Sequence, residues 1–177
     1  MNCVNPDIKV VDNFIAPDKH QLLHQYMLED DDVRWKFNTW CTGPSYSDNE
    51  GSQFVYLFYG RQLQYNTRRM GFVSPILSRL GDPYIMLLRA KANLKVRSHT
   101  IEQSSFHVDY NFNCVTGIYY VNTNNGYTIF EDGSKVDSVA NRMILFPSNL
   151  KHAGTTCTDE KYRIVINFNY HPNNRPS

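Results

Sequence analysis

The sequence predicts a mainly β protein, a small β-barrel or jelly roll with helices packed on its outside. Aromatic residues make up 14% of the 177 residues and occur in short runs, which favours sheet over helix. Two helical patterns lie in the first half of the chain, and regularly spaced short strand patterns fill the second half. We expect one domain over residues 1–177, with helical support and outer strands in 1–83 and the jelly-roll core in 84–170.

The first helix is expected to open at Ala16-Pro17-Asp18, because proline is well suited to the first helical turn. A loosely alternating strand, residues 8–14, precedes it. Leu22, Leu23, Tyr26 and Met27 mark one apolar face of this helix. The acidic run 29–32 is expected to end it, since acidic side chains oppose the helix dipole at that end.

Two strands and a second helix complete the outer part of the prediction. Residues 35–40 and Gln53–Tyr59 are strand candidates, separated by a loop rich in Gly, Ser, Asn and Asp. Apolar residues at helical spacing predict a helix over residues 72–80, and Gly81-Asp82-Pro83 is expected to stop it.

The jelly-roll core is predicted from strand patterns that alternate with turn signals. Asn124-Asn125-Gly126 and Asp132-Gly133 are typical turn sequences. The strand patterns around them cover residues 84–96, 115–122, 127–130, 142–146 and 162–170.

Composition excludes several function classes. The net charge is +1 and no Lys/Arg run occurs, so no nucleic-acid partner is expected. No apolar span of 18 residues occurs, and the N-terminus lacks an apolar signal core, so we expect a cytoplasmic protein with no membrane contact. The four cysteines form no CxxC pair, which argues against a zinc knuckle and a disulfide framework and favours free thiols.

The motif that carries chemistry is His107-Val108-Asp109, followed 43 residues later by His152 and 11 beyond that by Arg163. On a strand, residues i and i+2 share a face, so His107 and Asp109 can reach one metal if a later strand brings His152 alongside. Two nitrogens and one oxygen suit Fe(II) and leave positions open for co-substrate and oxygen. Arg163 adds a cation that can pair with a carboxylate.

HxD alone is a weak signal, since the chain contains six histidines and a single histidine is more often a surface or hydrogen-bonded residue. The combination favours a metal site, because His107 and His152 each follow a strand-like segment and would meet at one mouth of a barrel. His20, His24, His99 and His171 have no such setting.

These residues resemble the iron(II)- and 2-oxoglutarate-dependent dioxygenases, in particular their prolyl 4-hydroxylase branch. The resemblance covers most of residues 84–170, through the HxD motif, the segment 113–122 and the segment 146–170 with His152 and Arg163. It implies a double-stranded β-helix, the jelly-roll and cupin-like barrel of that family. It also implies that His107, Asp109 and His152 bind iron, and that Arg163 binds the distal carboxylate of 2-oxoglutarate.

Further site residues follow from the same resemblance. The segment 114–122 is similar to the hypoxia-sensing prolyl hydroxylases, which implies that Tyr120 contacts the same carboxylate. The family commonly has a co-substrate-binding tyrosine on the strand before HxD, where this chain offers Asn93, with Lys91 on the same face. A glycine pair of the family appears as Asn125-Gly126, a mild change because Asn tolerates left-handed turns.

The implied reaction hydroxylates a prolyl or other side chain in a proline-containing peptide or protein and releases succinate and CO2. Its cofactors would be Fe(II), 2-oxoglutarate and O2, with ascorbate as a further candidate. Two alternatives stay open: a same-fold oxygenase acting on a small molecule or nucleobase, and a non-enzymatic cupin-like metal-binding module. Asn167 and Asn169 stand where nucleic-acid demethylases usually have arginine, and Arg163 argues against the non-enzymatic module.

Overall fold

The computed structural model describes residues 6–39, 51–60, 66–81 and 85–172. Within these ranges the elements, in chain order, are β1 (Lys9–Val11), α1 (Pro17–Glu29), β2 (Lys36–Asn38), β3 (Gln53–Tyr59), α2 (Thr67–Leu80), β4 (Ile85–Val96), β5 (Val115–Tyr120), β6 (Tyr127–Phe130), β7 (Lys135–Asp137), β8 (Arg142–Pro147), β9 (His152–Gly154) and β10 (Tyr162–Pro172). The predicted mainly β class is confirmed.

The strands form two antiparallel sheets. Seven strands lie in the order β1-β8-β5-β10-β4-β3-β2, and three lie in the order β7-β6-β9. Apolar side chains from both sheets pack together between them: Ile8, Ile118, Tyr120, Phe130, Val136, Ile144, Phe146 and Val165. Two facing sheets of this order form the predicted jelly roll, or double-stranded β-helix.

The helices cover the outer face of the seven-stranded sheet. Alternation along β10 sends Ile164, Ile166 and Phe168 to the helix side, where they are almost fully buried. In α1, Leu23, Tyr26 and Met27 are buried as predicted, whereas Leu22 is 49% exposed. The expected apolar face of α1 therefore has one residue fewer.

Helix α2 begins at Thr67 rather than at residue 72, because the Asn66 side chain caps it by accepting a hydrogen bond from the Arg69 amide at 2.9 Å. Pro75 lies inside the helix and cannot donate to the Gly71 carbonyl, but the Ser74 hydroxyl donates to that carbonyl at 2.9 Å. The helix ends at Leu80, and the left-handed backbone of the capping residue Gly81 (φ 111°) matches the predicted stop.

The acidic run ends α1 at Glu29, as expected, and also joins the two helices. Arg68 at the start of α2 pairs with Asp30 at 2.8 Å and with Asp32. These exposed pairs contribute modestly, on the order of 0.2–1 kcal/mol each.

The predicted strand positions are confirmed with shifted ends, and two strands escaped prediction. Gln53–Tyr59 and Tyr127–Phe130 were predicted with their observed bounds, the strand at 35–40 is observed as Lys36–Asn38, and residue 40 lies outside the described residues. The missed strands, β7 and β9, have three residues each, too few for alternation to be recognised. In the described part of the chain, Cys114 and Cys157 are buried free thiols, and no helix is long and apolar enough to cross a membrane.

Candidate active site

A short backbone bridge brings the two candidate histidine ligands together. The His107 amide donates to the His152 carbonyl and the His152 amide donates to the His107 carbonyl, both at 3.0 Å. The bridge extends the edge of the three-stranded sheet at β9. The ring centroids are consequently 4.6 Å apart.

Both imidazole rings are oriented by backbone carbonyls. Nδ1 of His152 lies 3.0 Å from the Leu150 carbonyl oxygen, and Nδ1 of His107 lies 3.3 Å from that of Ser105. A carbonyl only accepts, so each Nδ1 carries the hydrogen and each Nε2 keeps its lone pair. Nε2 of His152 is buried and has no hydrogen-bond partner among the described residues. A buried nitrogen lone pair without a donor fits a metal ligand.

Asp109 completes the set, and its ligand atom lies with those of the two histidines within 4.8 Å of one another. Its carboxylate is held from two sides. Arg89 Nη2 donates to Oδ1 at 3.0 Å, while Asn169 Nδ2 and Thr116 Oγ1 donate to Oδ2 at 2.9 and 3.0 Å.

The protonation states of these groups suit a cation. Burial alone raises the pKa of Asp109, but the Arg89 charge, the histidines and the Asn169 hydrogen bond outweigh it and lower the pKa to about 2. Burial, followed by the nearby His152, lowers the pKa of His107 to about 4. At neutral pH the cluster therefore presents one carboxylate and an uncharged His107 ring, the states in which these side chains bind metal.

The cluster lines one cavity of about 160 Å³ together with Arg163. Arg163 is only 4% exposed, and no carboxylate of the described residues pairs with it. Its Nε donates to Ser138 Oγ at 2.7 Å and its Nη2 donates to Thr128 Oγ1 at 3.3 Å. Burial lowers the pKa of this guanidinium from its usual value. A buried cation held only by neutral oxygens is a site for an anion.

Two glycines make room for the Arg163 side chain. A Cβ at Gly126 would lie 2.7 Å from Arg163 Cδ, and a Cβ at Gly154 would lie 3.4 Å from Nη1. The predicted Asn125-Gly126 turn therefore also shapes the anion site.

The two remaining predicted site residues, Tyr120 and Asn93, differ in whether they line the cavity. Tyr120 is fully buried and its hydroxyl donates to Thr128 Oγ1 at 2.8 Å, so Thr128, and not Tyr120, lines the cavity. The Arg163 guanidinium lies 5.6 Å from the centroid of the Tyr120 ring. Asn93 lines the cavity and its Oδ1 is buried with no partner among the described residues. The same holds for Asn167.

Sequence reasoning identified Asn93 and Lys91 on β4 but missed Arg89 and Lys95 in the same polar row. Arg89, Lys91, Asn93 and Lys95 alternate along this strand and all line the cavity, whereas Ala90 and Ala92 between them are fully buried on the other face. That alternation of long polar and small apolar residues is visible in the sequence. It was the signal that could have identified Arg89 and Lys95.

Comparisons with known proteins place this fold among oxygenases. No protein-family model matches the chain, and no curated protein matches it. It is similar in structure to a 2OG-Fe(II) oxygenase family oxidoreductase from Burkholderia pseudomallei, with 10% identity, a TM-score of 0.65 and coverage of 94% of this chain and 85% of that one. It is also similar to a prolyl hydroxylase from Trichoplax adhaerens, solved in complex with a hypoxia inducible factor peptide fragment, with 18% identity, a TM-score of 0.65 and coverage of 94% and 84%.

A third similar structure is HygX from Streptomyces hygroscopicus, which contains nickel and 2-oxoglutarate. Its identity is 10%, its TM-score is 0.59, and the match covers 94% of this chain and 83% of that one. The chain thus has the fold of the 2-oxoglutarate- and iron(II)-dependent oxygenases, prolyl hydroxylases among them. At these identities the likeness concerns the fold.

Proposed function

We propose that the protein is an Fe(II)- and 2-oxoglutarate-dependent dioxygenase that hydroxylates a prolyl or other side chain of a peptide or protein, with release of succinate and CO2. One observation carries this proposal. Two imidazoles and a carboxylate share a cavity with the buried Arg163. Among the described residues, the buried Nε2 of His152 has no hydrogen-bond donor and Arg163 has no carboxylate partner. A metal ion and a small dianion together would satisfy both halves of that cavity.

The metal would be held by His107 and His152 through Nε2 and by Asp109 through its carboxylate. Two nitrogens and one oxygen are the donor set of non-haem Fe(II) oxygenases. Bound iron would supply the oxygen activation and the oxidative decarboxylation of the co-substrate. The protein's own groups orient the ligands through the carbonyls of Ser105 and Leu150.

Arg163 would bind the distal carboxylate of 2-oxoglutarate. Ser138 and Thr128 hold the guanidinium in place, so its remaining N–H groups can pair with an anion without loss of side-chain freedom. Tyr120 would act through Thr128 by orienting that hydroxyl. Asn93 would contribute an amide to the co-substrate, since a half-turn of its side chain exchanges Oδ1 for the donor Nδ2.

A peptide substrate is supported by a second cavity of about 650 Å³ that shares Lys91 with the first. Its wall comes from β2, β3 and the start of α2, including Lys36, Tyr56 and Arg69. This cavity is larger than the metal cavity and has Lys91 as a common wall with it, so a polymer substrate has room beside the metal site. The prolyl hydroxylase of the same fold, solved with a peptide, supports the choice of proline.

The experiment that separates an enzyme from a binding module uses anaerobic protein with Fe(II) and 2-oxoglutarate. We expect a weak visible metal-to-ligand charge-transfer band in the wild type and its loss in His152→Ala. His99→Ala is the matched control, because His99 is exposed and lies outside the cavity. Absence of the band in the wild type, or its persistence in His152→Ala, would overturn the iron assignment.

The substrate is tested by mass spectrometry of proline-containing peptides incubated with protein, Fe(II), ascorbate and 2-oxoglutarate. We expect the mass of one added oxygen, and no addition in matched peptides with alanine in place of proline. Succinate formation without any oxidised peptide would contradict the peptide assignment and favour a small molecule or nucleobase. Omitting ascorbate tests whether it sustains turnover.

A further inference from the structure

Three neighbouring strands each place one polar side chain beneath the Asp109 carboxylate. Arg89 on β4 is the registered partner of Asn169 on β10, and Asn169 is in turn the partner of Thr116 on β5. Directly paired residues on one face of a sheet have Cβ atoms about 4.5–5.5 Å apart. The three side chains therefore form a continuous row, although they are distant from one another in the chain.

Hydrogen bonds close this row into a ring. Arg89 Nη2 donates to Asp109 Oδ1 and Arg89 Nε donates to Asn169 Oδ1, both at 3.0 Å. Asn169 Nδ2 donates onward to Asp109 Oδ2 at 2.9 Å. The two nitrogens of one planar guanidinium thus reach the carboxylate directly and through the amide, a geometry that a lysine cannot reproduce.

The two carboxylate oxygens of Asp109 differ in the number of lone-pair sites that remain free for a metal. Oδ2 accepts from both Asn169 and Thr116, and each carboxylate oxygen has about two lone-pair sites. Among the residues that the structure describes, only Arg89 donates to Oδ1, which therefore keeps one lone-pair site. A metal can therefore be bound through Oδ1 alone, while the ring prevents the carboxylate from turning to offer both oxygens.

We propose that Arg89, together with Asn169, is a positioning residue that makes Asp109 a single-oxygen metal ligand. The proposal rests on the proposed function, because it concerns the same metal site. Three protein ligands, one oxygen among them, leave three of six octahedral positions open. A carboxylate bound through both oxygens would take one of the positions that co-substrate and oxygen need.

The test measures Co(II) binding by calorimetry and records the Co(II) d–d absorption spectrum. The proteins compared are the wild-type chain of 177 residues and its variants Arg89→Met, Arg89→Lys and Asn169→Ala. Losing a residue that orients a ligand typically weakens metal binding by about 10–100-fold. We expect a weakening of that size and an altered d–d spectrum in all three variants, since each breaks the ring. Arg97→Met is the control, because Arg97 is exposed and lies outside the cavity.

Arg89→Lys separates geometry from charge. Lysine keeps a positive charge beside Asp109, so the fold tolerates it better, but its single nitrogen cannot reproduce the planar two-nitrogen bridge to Asp109 and Asn169. Wild-type Co(II) affinity and spectrum in Arg89→Lys, or in a folded Arg89→Met as judged by circular dichroism, would overturn the proposal.

Failure of the proposed function would give a different result from failure of the positioning role. Wild-type protein that does not bind Co(II), or binds it equally well after His152→Ala, would remove the metal site itself and the positioning role with it. Binding that depends on His152 but not on Arg89 or Asn169 would overturn the positioning role alone.

Discussion

Replacing Gly126 by alanine is expected to disturb the anion site more than alanine at any other glycine of the described residues. The added Cβ would lie 2.5 Å from the Thr156 carbonyl oxygen and 2.7 Å from Arg163 Cδ, both below the closest approach of non-bonded atoms. The carbonyl belongs to the backbone, and the Thr156 amide is bonded to the Glu102 carbonyl at 2.9 Å, so the segment yields little. The Arg163 side chain must therefore move.

The magnitude follows from overpacking. Inserting a methyl group into a filled site costs about 1–3 kcal/mol. For a chain of this size, each kcal/mol lowers Tm by about 2–4 °C, so we expect a fall of about 2–12 °C. Displacing the guanidinium should weaken 2-oxoglutarate binding to the Co(II)-loaded protein by at least about tenfold, or about 1.4 kcal/mol. Co(II) affinity should stay within about twofold, a difference of about 0.4 kcal/mol.

Thermal unfolding and calorimetric titration of 2-oxoglutarate measure the two effects separately. Gly71→Ala is the matched control, because nothing lies within 4 Å of a Cβ there and alanine should stabilise α2 by about 0.5–1 kcal/mol. Gly154→Ala, with its nearest contact at 3.4 Å, should fall between the two. If Gly126→Ala lowers Tm but leaves 2-oxoglutarate affinity unchanged, Arg163 does not bind that ligand. If neither Tm nor 2-oxoglutarate affinity changes, the close packing around Gly126 described above is refuted.

Three further outcomes are expected. Arg163→Ala should lower 2-oxoglutarate affinity by on the order of 2–5 kcal/mol in calorimetry while Co(II) binding persists, and equal loss of both ligands would indicate misfolding instead. Thr128→Val should lower the free energy of unfolding in urea by about 1–3 kcal/mol, because it removes the oxygen that accepts hydrogen bonds from the buried Tyr120 hydroxyl and Arg163 guanidinium. The double variant Thr128→Val/Tyr120→Phe should lose little more stability than Thr128→Val alone. Losses that add fully would show that Tyr120 does not depend on the Thr128 acceptor. Asn141→Ala should cost about 2–5 kcal/mol, since Asn141 makes three side-chain hydrogen bonds at φ 60°. Asn141→Gly should recover about 1–2 kcal/mol in the same unfolding assay, and no recovery would exclude backbone strain as part of the loss.

The secondary structure was predictable where the pattern was long enough to have a period. Gln53–Tyr59 has seven residues, of which the last five alternate in burial, and it was predicted with its observed bounds. Lys135–Asp137 and His152–Gly154 escaped because three residues form strands only when a partner strand supplies their hydrogen bonds. The early start of α2 depended on the side chain of Asn66, a capping contact without apolar periodicity.

The candidate site divides in the same way. The HxD spacing places His107 and Asp109 on one face without any tertiary information. The residue pattern further along the chain pointed to His152 and Arg163, and the resemblance to dioxygenases added Tyr120. The structure brings the first four into one cavity but interposes Thr128 between Tyr120 and that cavity. Whether the Tyr120 hydroxyl faces the cavity or a neighbouring side chain depends on which strand lies opposite. The local sequence pattern does not predict that.

The sequence by itself therefore determined the residue types, the alternation that places them on a face, and the fold class that such alternation favours. The partners of Asp109 were decided only by the tertiary structure. Arg89 and Asn169 are 80 residues apart, and they meet because β4 and β10 pair with these two residues opposite each other. A slip of one residue in β10 would turn Asn169 to the other face of the sheet, away from Arg89, so this contact depends on the packing of the whole barrel.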